Sequence, residues 1–382
     1  MIYLDHAATT PVREEVRRAI GVALLDGFGN PSSTHQVGRQ ARALVDRARD
    51  QLAAVLHCRA REIVLTGGGS EADNLALRGV ARRARGRHLI VSAVEHEAVL
   101  ETARDLVSEG FELTVLAVDE SGRVRPDELV RALRDDTFLV SVMLANNEVG
   151  TIQPIAELAA VTKEHSKAYF HTDATQALGK LSLDVDRLGV DLLTVSAHKV
   201  YGPKGAGALY VRQGTPIDPL ITGGGQERNR RSGTENVPGI VGLGLAVELA
   251  EAEREVECHR QAELSRRLTD LIVGQIPGAL STGAKAPDRL PNFTTIAFPG
   301  VEGELLLLRL DRLGVCASAG SACSSGSLAP SHVLLAMGLP PALAGAHLRL
   351  TVGRQTSPED VERAAEAVVA SVLALQAAAP AV

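Results

Sequence analysis

Short apolar runs alternate with longer amphipathic stretches between residues 62 and 212. The runs are bounded by glycine and polar residues and are too short for buried helices, so they predict strands. We expect strands at residues 62–65, 88–92, 112–117, 137–145, 168–173, 191–196 and 207–211. The stretches between them predict helices that include residues 75–85, 98–109, 126–134 and 155–164. This alternation is typical of a doubly wound α/β sheet with helices on both faces.

The pattern changes in the last third of the chain, where one long helical stretch runs from about residue 237 to 268. The unit that follows has predicted strands at 293–298 and 347–352 and predicted helices at 302–312 and 358–377. We therefore expect a large α/β domain and a smaller α+β domain, a division that suits a chain of 382 residues.

Composition narrows the class of protein. The net charge of −6 and the pI of about 6.0 give no indication of direct nucleic-acid binding. No apolar run approaches the roughly 20 residues that span a membrane, and no signal-peptide pattern is present, so we expect a cytoplasmic protein without a membrane partner. The four cysteines form no C-x-x-C pair, which indicates neither a zinc site nor a disulfide framework. Cys316 is expected to be a buried small residue in a short strand.

Lys199 closely follows a predicted strand. The apolar run 191–196 ends in Ser196, and His198 and Lys199 come next. A desolvated lysine amine loses its proton more readily and becomes a nucleophile, as Schiff-base enzymes require. Lys199 is the leading candidate for this chemistry among the six lysines of the chain. A lysine that only reaches solvent from a strand end is an equally open interpretation.

Asp173 ends the neighbouring predicted strand, residues 168–173. Ligands of parallel sheets bind beyond the carboxyl ends of the strands, so Asp173 and Lys199 can face one crevice. Pyridoxal phosphate requires such a pair, with a lysine for its aldehyde carbon and a carboxylate for its pyridinium nitrogen. A strand-terminal aspartate is also a common helix N-cap, and that alternative stays open at this point.

A glycine-rich turn at residues 66–74 follows the first predicted strand and opens a helix. Such a turn offers backbone N–H groups and the positive end of the helix dipole to an anion. It matches neither the Walker sequence nor the dinucleotide fingerprint, and by itself it is equally typical of a tight turn. With Asp173 and Lys199 it would complete a cradle for a cofactor that carries a phosphate.

Motifs along nearly the whole chain resemble those of the cysteine desulfurases, pyridoxal-phosphate enzymes with the aspartate aminotransferase fold. The matching segments are residues 3–11, 28–33, 66–74, 95–100, 146–150, 173–176, 198–199, 223–227, 231–234 and 320–325. The resemblance implies a large domain of residues 15–258 with a mostly parallel sheet, and a small domain of residues 1–14 and 259–382. The segment around Cys323 resembles the branch whose long, mobile cysteine loop supplies sulfur for iron–sulfur clusters and tRNA thiolation.

The resemblance also implies roles for individual residues. Catalysis would fall to Lys199, which moves the α-proton, to Cys323, which takes the sulfur as a persulfide, and to His96, which stacks on the cofactor ring. The implied cofactor-binding residues are Gly69, Ser70, His96, Asp173, Gln176, Ser196, His198, Lys199 and Thr234.

Thr234 would reach the phosphate bound to the other subunit of a homodimer. Arg349 and Asn147 would bind the substrate carboxylate. Because Arg349 alternates with apolar residues, we expect its side chain to point into a cleft or into solvent. No metal site is expected.

The implied reaction takes sulfur from L-cysteine, leaves L-alanine and passes the sulfur to an acceptor such as an iron–sulfur scaffold protein or a tRNA-thiolation factor. Two alternatives stay open. One is another pyridoxal-phosphate enzyme of the same fold, such as a selenocysteine lyase or an aminotransferase, and Cys323 is the residue that separates these. The other is a non-catalytic sulfur-delivery scaffold, which the presence of Lys199, Asp173, His96 and Cys323 argues against.

Overall fold

Helices and strands are described for residues 1–320 and 330–378 in the computed structural model. The strands are β1 Ile2–Tyr3, β2 Ile63–Thr66, β3 His88–Ser92, β4 Glu112–Leu116, β5 Thr137–Ser141, β6 Tyr169–Asp173, β7 Leu192–Ser196, β8 Gly207–Val211, β9 Leu280–Ser281, β10 Phe293–Ala297, β11 Val315–Cys316 and β12 His347–Thr351. The helices are α1 Glu14–Asp26, α2 Gln36–Val55, α3 Gly69–Ala81, α4 Glu97–Ser108, α5 Pro126–Ala132, α6 Ile155–His165, α7 Val185–Leu188, α8 Gln226–Asn229, α9 Val237–Val273, α10 Gly303–Arg312, α11 His332–Ala336, α12 Pro341–Ala344 and α13 Pro358–Ala378.

The large sheet has the strand order β2-β8-β7-β6-β5-β3-β4. Strand β8 runs antiparallel to both of its neighbours, whereas the other adjacent pairs are parallel. The prediction of a mostly parallel sheet is therefore confirmed. All residues of β3, β5 and β7 are buried, because both faces of the sheet are covered. Strand β4 lies at the edge of the sheet and is more exposed than β3, β5 and β7. Its alternation of polar and apolar residues indicates this difference.

Successive side chains of a strand enter two different hydrophobic cores. Ile63 and Leu65 of β2 pack in the core that contains α2, α6 and the first half of α9, whereas Val64 between them packs against α3 and α4. Side chains of a strand point alternately to the two faces of a sheet, which accounts for this division. Helices therefore cover both faces, as predicted.

A further core is built by the second unit. Strands β12, β10 and β9 form an antiparallel sheet that packs with α10, α13 and the end of α9. Ile2 and Leu4 belong to this same core, and β1 pairs with β11 in parallel. The proposed domain boundaries at residues 14/15 and 258/259 stay predictions. Over the described parts of the chain, no helix combines the length and the apolar character needed to cross a membrane.

Helix α3 begins earlier than its hydrophobic pattern predicted. The expected start was residue 75, but the helix begins at Gly69, and Gly68 before it has a φ of +153°. The Glu71 side chain accepts a hydrogen bond from the Gly67 N–H at 2.9 Å, so polar contacts rather than apolar periodicity organise the first turn. The glycine-rich turn thus supplies the helix N-terminus itself.

Candidate active site

A cavity of about 200 Å³ lies beyond the carboxyl ends of β6 and β7. These ends are adjacent because Asp173 is in register with Thr194, two residues before Ser196. Most of the predicted site residues line this cavity: Gly69, Ser70, His96, Asn147, Asp173, Gln176, Ser196, His198, Lys199 and Arg349. The fold thus brings together residues from position 69 to position 349, a span of 281 residues.

Two predicted site residues do not line the cavity within the described chain. Thr234 is exposed and lies just before α9. Cys323 lies outside the described residues. The neighbouring Cys316 is in β11 as predicted, but it is half-buried rather than fully buried.

Lys199 lies at the end of a short 3-10 turn, Ala197–Lys199, that follows β7 directly. Its Nζ atom donates hydrogen bonds to the carbonyl oxygens of Ala7 and Ala8, at 2.6 Å and 2.7 Å. The Ala7 oxygen also accepts a hydrogen bond from Nε2 of Gln176 at 2.9 Å. The amine is therefore held inside the cavity, which excludes the simple solvent-reaching interpretation.

Asp173 serves the turn after β6 and faces the cavity as well. Its Oδ1 atom accepts a hydrogen bond from the Thr175 N–H at 2.8 Å, and the residue is buried. This is a turn contact rather than the helix N-cap that the sequence left open, because no helix begins between β6 and α7. A carboxylate has two oxygens with several lone pairs, so this bond leaves the group able to accept from a ligand in the cavity.

The start of α3 forms a cradle in the cavity wall. A Cβ atom added to Gly69 would lie 3.3 Å from Oγ1 of Thr175. Any side chain at position 69 would therefore fill the space between the backbone of Gly69 and the Thr175 hydroxyl. Oγ1 of Thr175 is buried and has no hydrogen-bond partner among the described residues. Buried hydroxyls normally have partners. The cradle therefore fits an anion such as a phosphate, with Ser70 and Ser196 beside it.

His198 adds hydrogen bonding rather than charge to this wall. Burial, together with the nearby Lys199 and Lys204, lowers the pKa of its imidazole to about 4. Nδ1 of His198 lies 3.2 Å from Oγ1 of Thr9. At neutral pH the ring is consequently uncharged, and it links the N-terminal segment to the turn that carries Lys199.

His96 is the N-cap residue of α4. Its Nδ1 atom accepts a hydrogen bond from the Ala98 N–H at 3.1 Å. Burial lowers the pKa of the imidazole, and Asp173 opposes this effect. Because Nδ1 is occupied by the cap, the orientation of the ring is fixed by local structure while the ring itself lines the cavity.

Arg349, on β12, also lines the cavity. We expected its side chain to point into a cleft or into solvent; the residue lines the cavity, and 2% of it is exposed. One guanidinium nitrogen, Nη2, donates to Oδ1 of Asp5 at 2.9 Å, and Nη1 donates to the carbonyl oxygen of Asn147 at 2.7 Å. Nε is buried and has no partner within residues 1–320 and 330–378. Asn147 therefore meets Arg349 through its backbone, and its side chain is available to the cavity.

Sequence reasoning missed several polar residues of the cavity wall and of the layer behind it. They are Asp73, Glu95, Glu148, Thr175 and His332. Burial raises the pKa of both Asp73 and Glu95, and that of Glu95 to about 8. Asp73, Glu95, Glu148 and Thr175 occur inside the recognised motifs, so motif position was a usable signal. Burial, which decides their protonation, is not visible in the sequence.

The raised pKa of the Glu95 carboxyl predicts that the free energy of unfolding depends on pH. Its pKa is raised in the folded chain, so its contribution to the free energy of unfolding is full below about pH 4.5 and is lost as pH rises to about 8. Gln at position 95 can keep the acceptor role toward Ser92 and the Met143 N–H. From pH 5 to pH 9, we expect Glu95→Gln to gain on the order of 4 kcal/mol relative to wild type.

Urea denaturation of both proteins at equal concentration, at pH 5 and pH 9, measures this difference. The control is Glu97→Gln, because Glu97 is half-buried and follows Glu95 by two residues. A Glu95→Gln protein whose stability follows that of wild type at both pH values would contradict the assignment.

Comparisons with known proteins show the family to which the chain belongs. Residues 2–364 match the family described as aminotransferase class-V. A cysteine desulfurase IscS of Dictyoglomus turgidum is 51% identical over 362 residues, which cover 94% of this chain and 91% of that protein. A putative cysteine desulfurase IscS 1 of Bacillus subtilis is 47% identical over 370 residues, or 96% and 97% of the two chains. The chain belongs to the class-V aminotransferase family and, within it, to the cysteine desulfurases.

Solved structures show the same relationship. The structure of a NifS-like protein superposes with a TM-score of 0.91 at 37% identity, covering 97% of this chain and 98% of that one. A structure of SspA in complex with cysteine gives a TM-score of 0.82 at 38% identity, covering 92% and 99%. The expected aspartate-aminotransferase-like fold is thereby confirmed.

Proposed function

We propose that this chain is a pyridoxal-phosphate-dependent cysteine desulfurase that converts L-cysteine to L-alanine and carries the sulfur as a persulfide on Cys323. The observation that carries the proposal is the single cavity lined by Lys199, Asp173, the start of α3 and Arg349. These residues supply an amine, a carboxylate, an anion cradle and a guanidinium, which are the groups that the cofactor and an amino-acid substrate require. The relatives named cysteine desulfurase support this choice of reaction.

Each part of the cavity has a role toward the cofactor. The start of α3, Thr175 and Ser196 would hold the phosphate, and Asp173 would accept a hydrogen bond from the ring nitrogen. Gln176 retains a second amide N–H for the phenolic oxygen, because only one is needed for Ala7. When bound, the cofactor would supply an aldehyde for Lys199 and a positively charged ring that withdraws electrons from the substrate α-carbon.

The protein groups then act on the substrate. Arg349 binds the substrate carboxylate through a charge-assisted hydrogen bond, with Asn147 beside it. The Lys199 amine accepts the α-proton of L-cysteine and later returns it. The Cys323 thiolate attacks the substrate sulfur, so that a sulfur–sulfur bond forms as the carbon–sulfur bond breaks. The sulfur then passes to an acceptor protein of iron–sulfur cluster assembly or tRNA thiolation. A cytoplasmic location stays a prediction.

The reaction can be tested with purified protein, pyridoxal phosphate and L-cysteine. We expect one alanine per sulfide in the presence of a thiol reductant. Without reductant, mass spectrometry should find one extra sulfur atom on the peptide that contains Cys323. Transamination products, or alanine formed without any protein persulfide, would contradict the proposal. Parallel assays with L-selenocysteine test the selenocysteine lyase alternative.

A homodimer is the assembly we propose, with two shared sites. An exposed apolar patch on α1 and the loop after it, formed by Val22, Leu24, Leu25 and Phe28, supports an interface, since 59% or more of each residue is exposed. The exposed position of Thr234 supports a contribution to the other subunit's site. Two-fold dimers are the commonest closed assemblies of soluble proteins.

Heterodimers test the shared site. If Thr234 completes the phosphate site of the other subunit, mixing a Lys199→Ala parent with a Thr234→Ala parent places both lesions in one site and leaves the other site intact. We expect such heterodimers to recover about half of the wild-type activity per dimer, measured as alanine formation. Two tagged parents purified in tandem provide verified heterodimers. Activity per dimer that is no more than half that of the Thr234→Ala homodimer would show that Thr234 acts within its own chain.

A further inference from the structure

His332 is a cavity residue to which no role has yet been assigned. It is the first residue of α11, it is half-buried, and it lines the same cavity as Lys199 and Arg349. Its Nε2 atom lies 3.0 Å from the carbonyl oxygen of Glu95. The cavity therefore contains a third imidazole besides those of His96 and His198.

The contact with Glu95 determines the tautomer of His332. A carbonyl oxygen can only accept a hydrogen bond, so Nε2 of His332 must be the donor and must carry a hydrogen. In the neutral ring this leaves the lone pair on Nδ1. His332 is therefore prepared to accept a proton at Nδ1, whereas Nδ1 of His96 already accepts the N–H of Ala98.

The position of His332 relates it to the substrate rather than to the phosphate cradle. Its neighbour Ser331 donates a hydrogen bond to Oε2 of Glu148, which directly follows Asn147 in the chain. The Asn147 carbonyl in turn accepts from Arg349. His332 is thus anchored to the end of the cavity where the substrate carboxylate is proposed to bind.

Several charged or titratable groups line the cavity together with His332. His96 and Glu97 belong to the start of α4, Glu148 follows β5, and Arg349 is on β12. Glu148 is buried, and burial raises the pKa of its carboxyl. Arg349 is the permanently charged member of this group, and its ion pair with Asp5 offsets part of its charge.

We propose that His332 is the base that takes a proton from the α-ammonium group of the incoming L-cysteine. This rests on the proposed function, because the amine must be neutral before it can displace Lys199. In the step, one N–H bond of the ammonium breaks and an Nδ1–H bond forms on His332, so the positive charge moves from substrate to imidazole. No electrons are exchanged. The amine is attached to the carbon that bears the carboxylate, so it enters at the end of the cavity where His332 is anchored.

The other groups are less suited to this first transfer. In the proposed function the Lys199 nitrogen is bonded to the cofactor when L-cysteine arrives, so it is not a free amine at that moment. Nδ1 of His96 is used by the α4 cap. Glu148 also lines the cavity, but its Oε2 atom accepts the hydrogen bond from Ser331 and only 1% of the residue is exposed.

Nitrogen-15 NMR of the histidines tests the tautomer without any activity. In cofactor-free protein labelled at histidine, the resonances absent from a His332→Gln sample belong to His332. At a pH where the ring is neutral, we expect Nε2 to be protonated and Nδ1 to be bare. The opposite tautomer would overturn the proposal.

Kinetics of the first turnover test the base. His332→Gln can keep the hydrogen bond to the Glu95 carbonyl but cannot accept a proton, whereas His332→Ala loses both functions. Stopped-flow absorbance of the lysine-bound cofactor reports the displacement of Lys199 by L-cysteine. At pH 7 we expect both variants to be slower than wild type by about 100-fold. At pH 9.5 a far larger fraction of the substrate amine is already neutral than at pH 7, so the defect of His332→Gln should fall below about tenfold.

The outcomes separate the possible failures. A His332→Gln defect of equal size at both pH values would show that His332 only positions other groups, and a rate equal to wild type at pH 7 would show that another base acts. Either result overturns the proposal. If wild type itself shows no cofactor change and no alanine with L-cysteine, the proposed function fails instead, and the tautomer measurement still reports on His332.

Discussion

Lys199→Ala is expected to lose all covalent attachment of pyridoxal phosphate and to lower alanine formation by more than about 10³-fold. The amine is both the attachment point and the base for the α-proton, and no neighbouring side chain can replace both functions. The 3-10 turn after β7 and the carbonyls of Ala7 and Ala8 keep the amine in the cavity. Absorbance spectra, followed by borohydride reduction and peptide mapping, measure the loss.

The matched control is Lys204→Ala. Lys204 lies in the loop that follows Lys199, but its side chain is exposed and it does not line the cavity. We expect this variant to keep the spectrum and nearly full activity. Attachment of the reduced cofactor to Lys204 in wild-type protein would show that the wrong lysine has been assigned.

Cys323→Ser is expected to abolish persulfide formation and to leave the cofactor spectrum unchanged. A serine hydroxyl stays protonated at neutral pH, whereas a thiol provides a fraction of thiolate that can attack the substrate sulfur. The variant should therefore still bind L-cysteine, as seen by the spectral change, but should release neither sulfide nor alanine above about 1% of the wild-type rate.

Cys316→Ser serves as the control for this experiment. Cys316 is a half-buried residue of β11, near the end of the described segment that precedes Cys323. Its replacement should leave persulfide formation intact. Normal sulfide production by Cys323→Ser, or a complete loss caused by Cys316→Ser, would transfer the acceptor role to another thiol.

Much of the large domain could be predicted from hydrophobic pattern alone. Strands β3, β6, β7 and β8 were predicted to within one residue at each end, because each is a short apolar run between polar boundaries. The start of α3 was missed by six residues, from 75 to 69, because capping contacts of Glu71 with Gly67 and not apolar spacing determine where that helix begins. The direction of β8 was also invisible, since an apolar run reads the same in parallel and antiparallel strands.

The candidate site was predictable to the extent that its residues end strands. Asp173 and Lys199 were found because the carboxyl ends of neighbouring parallel strands meet at one edge of a sheet. The sequence had left open a purely local role for Asp173 and a solvent-reaching position for Lys199, and the structure gives a different answer for each. Asp173 does make the turn contact with Thr175, and Lys199 is held in the cavity rather than in solvent.

The amino-acid sequence by itself determined the α/β class, the order of the elements and the identity of the groups that can do chemistry, because these depend on local pattern and on side-chain type. Only the tertiary structure decided which of these groups share a cavity and in which protonation state they do so. Arg349 donates a hydrogen bond to the carbonyl oxygen of Asn147, which lies 202 residues earlier in the chain. Burial raises the pKa of the Glu95 carboxyl to about 8. Distance and desolvation arise when remote segments pack together, and neither quantity is defined for a residue within its own stretch of chain.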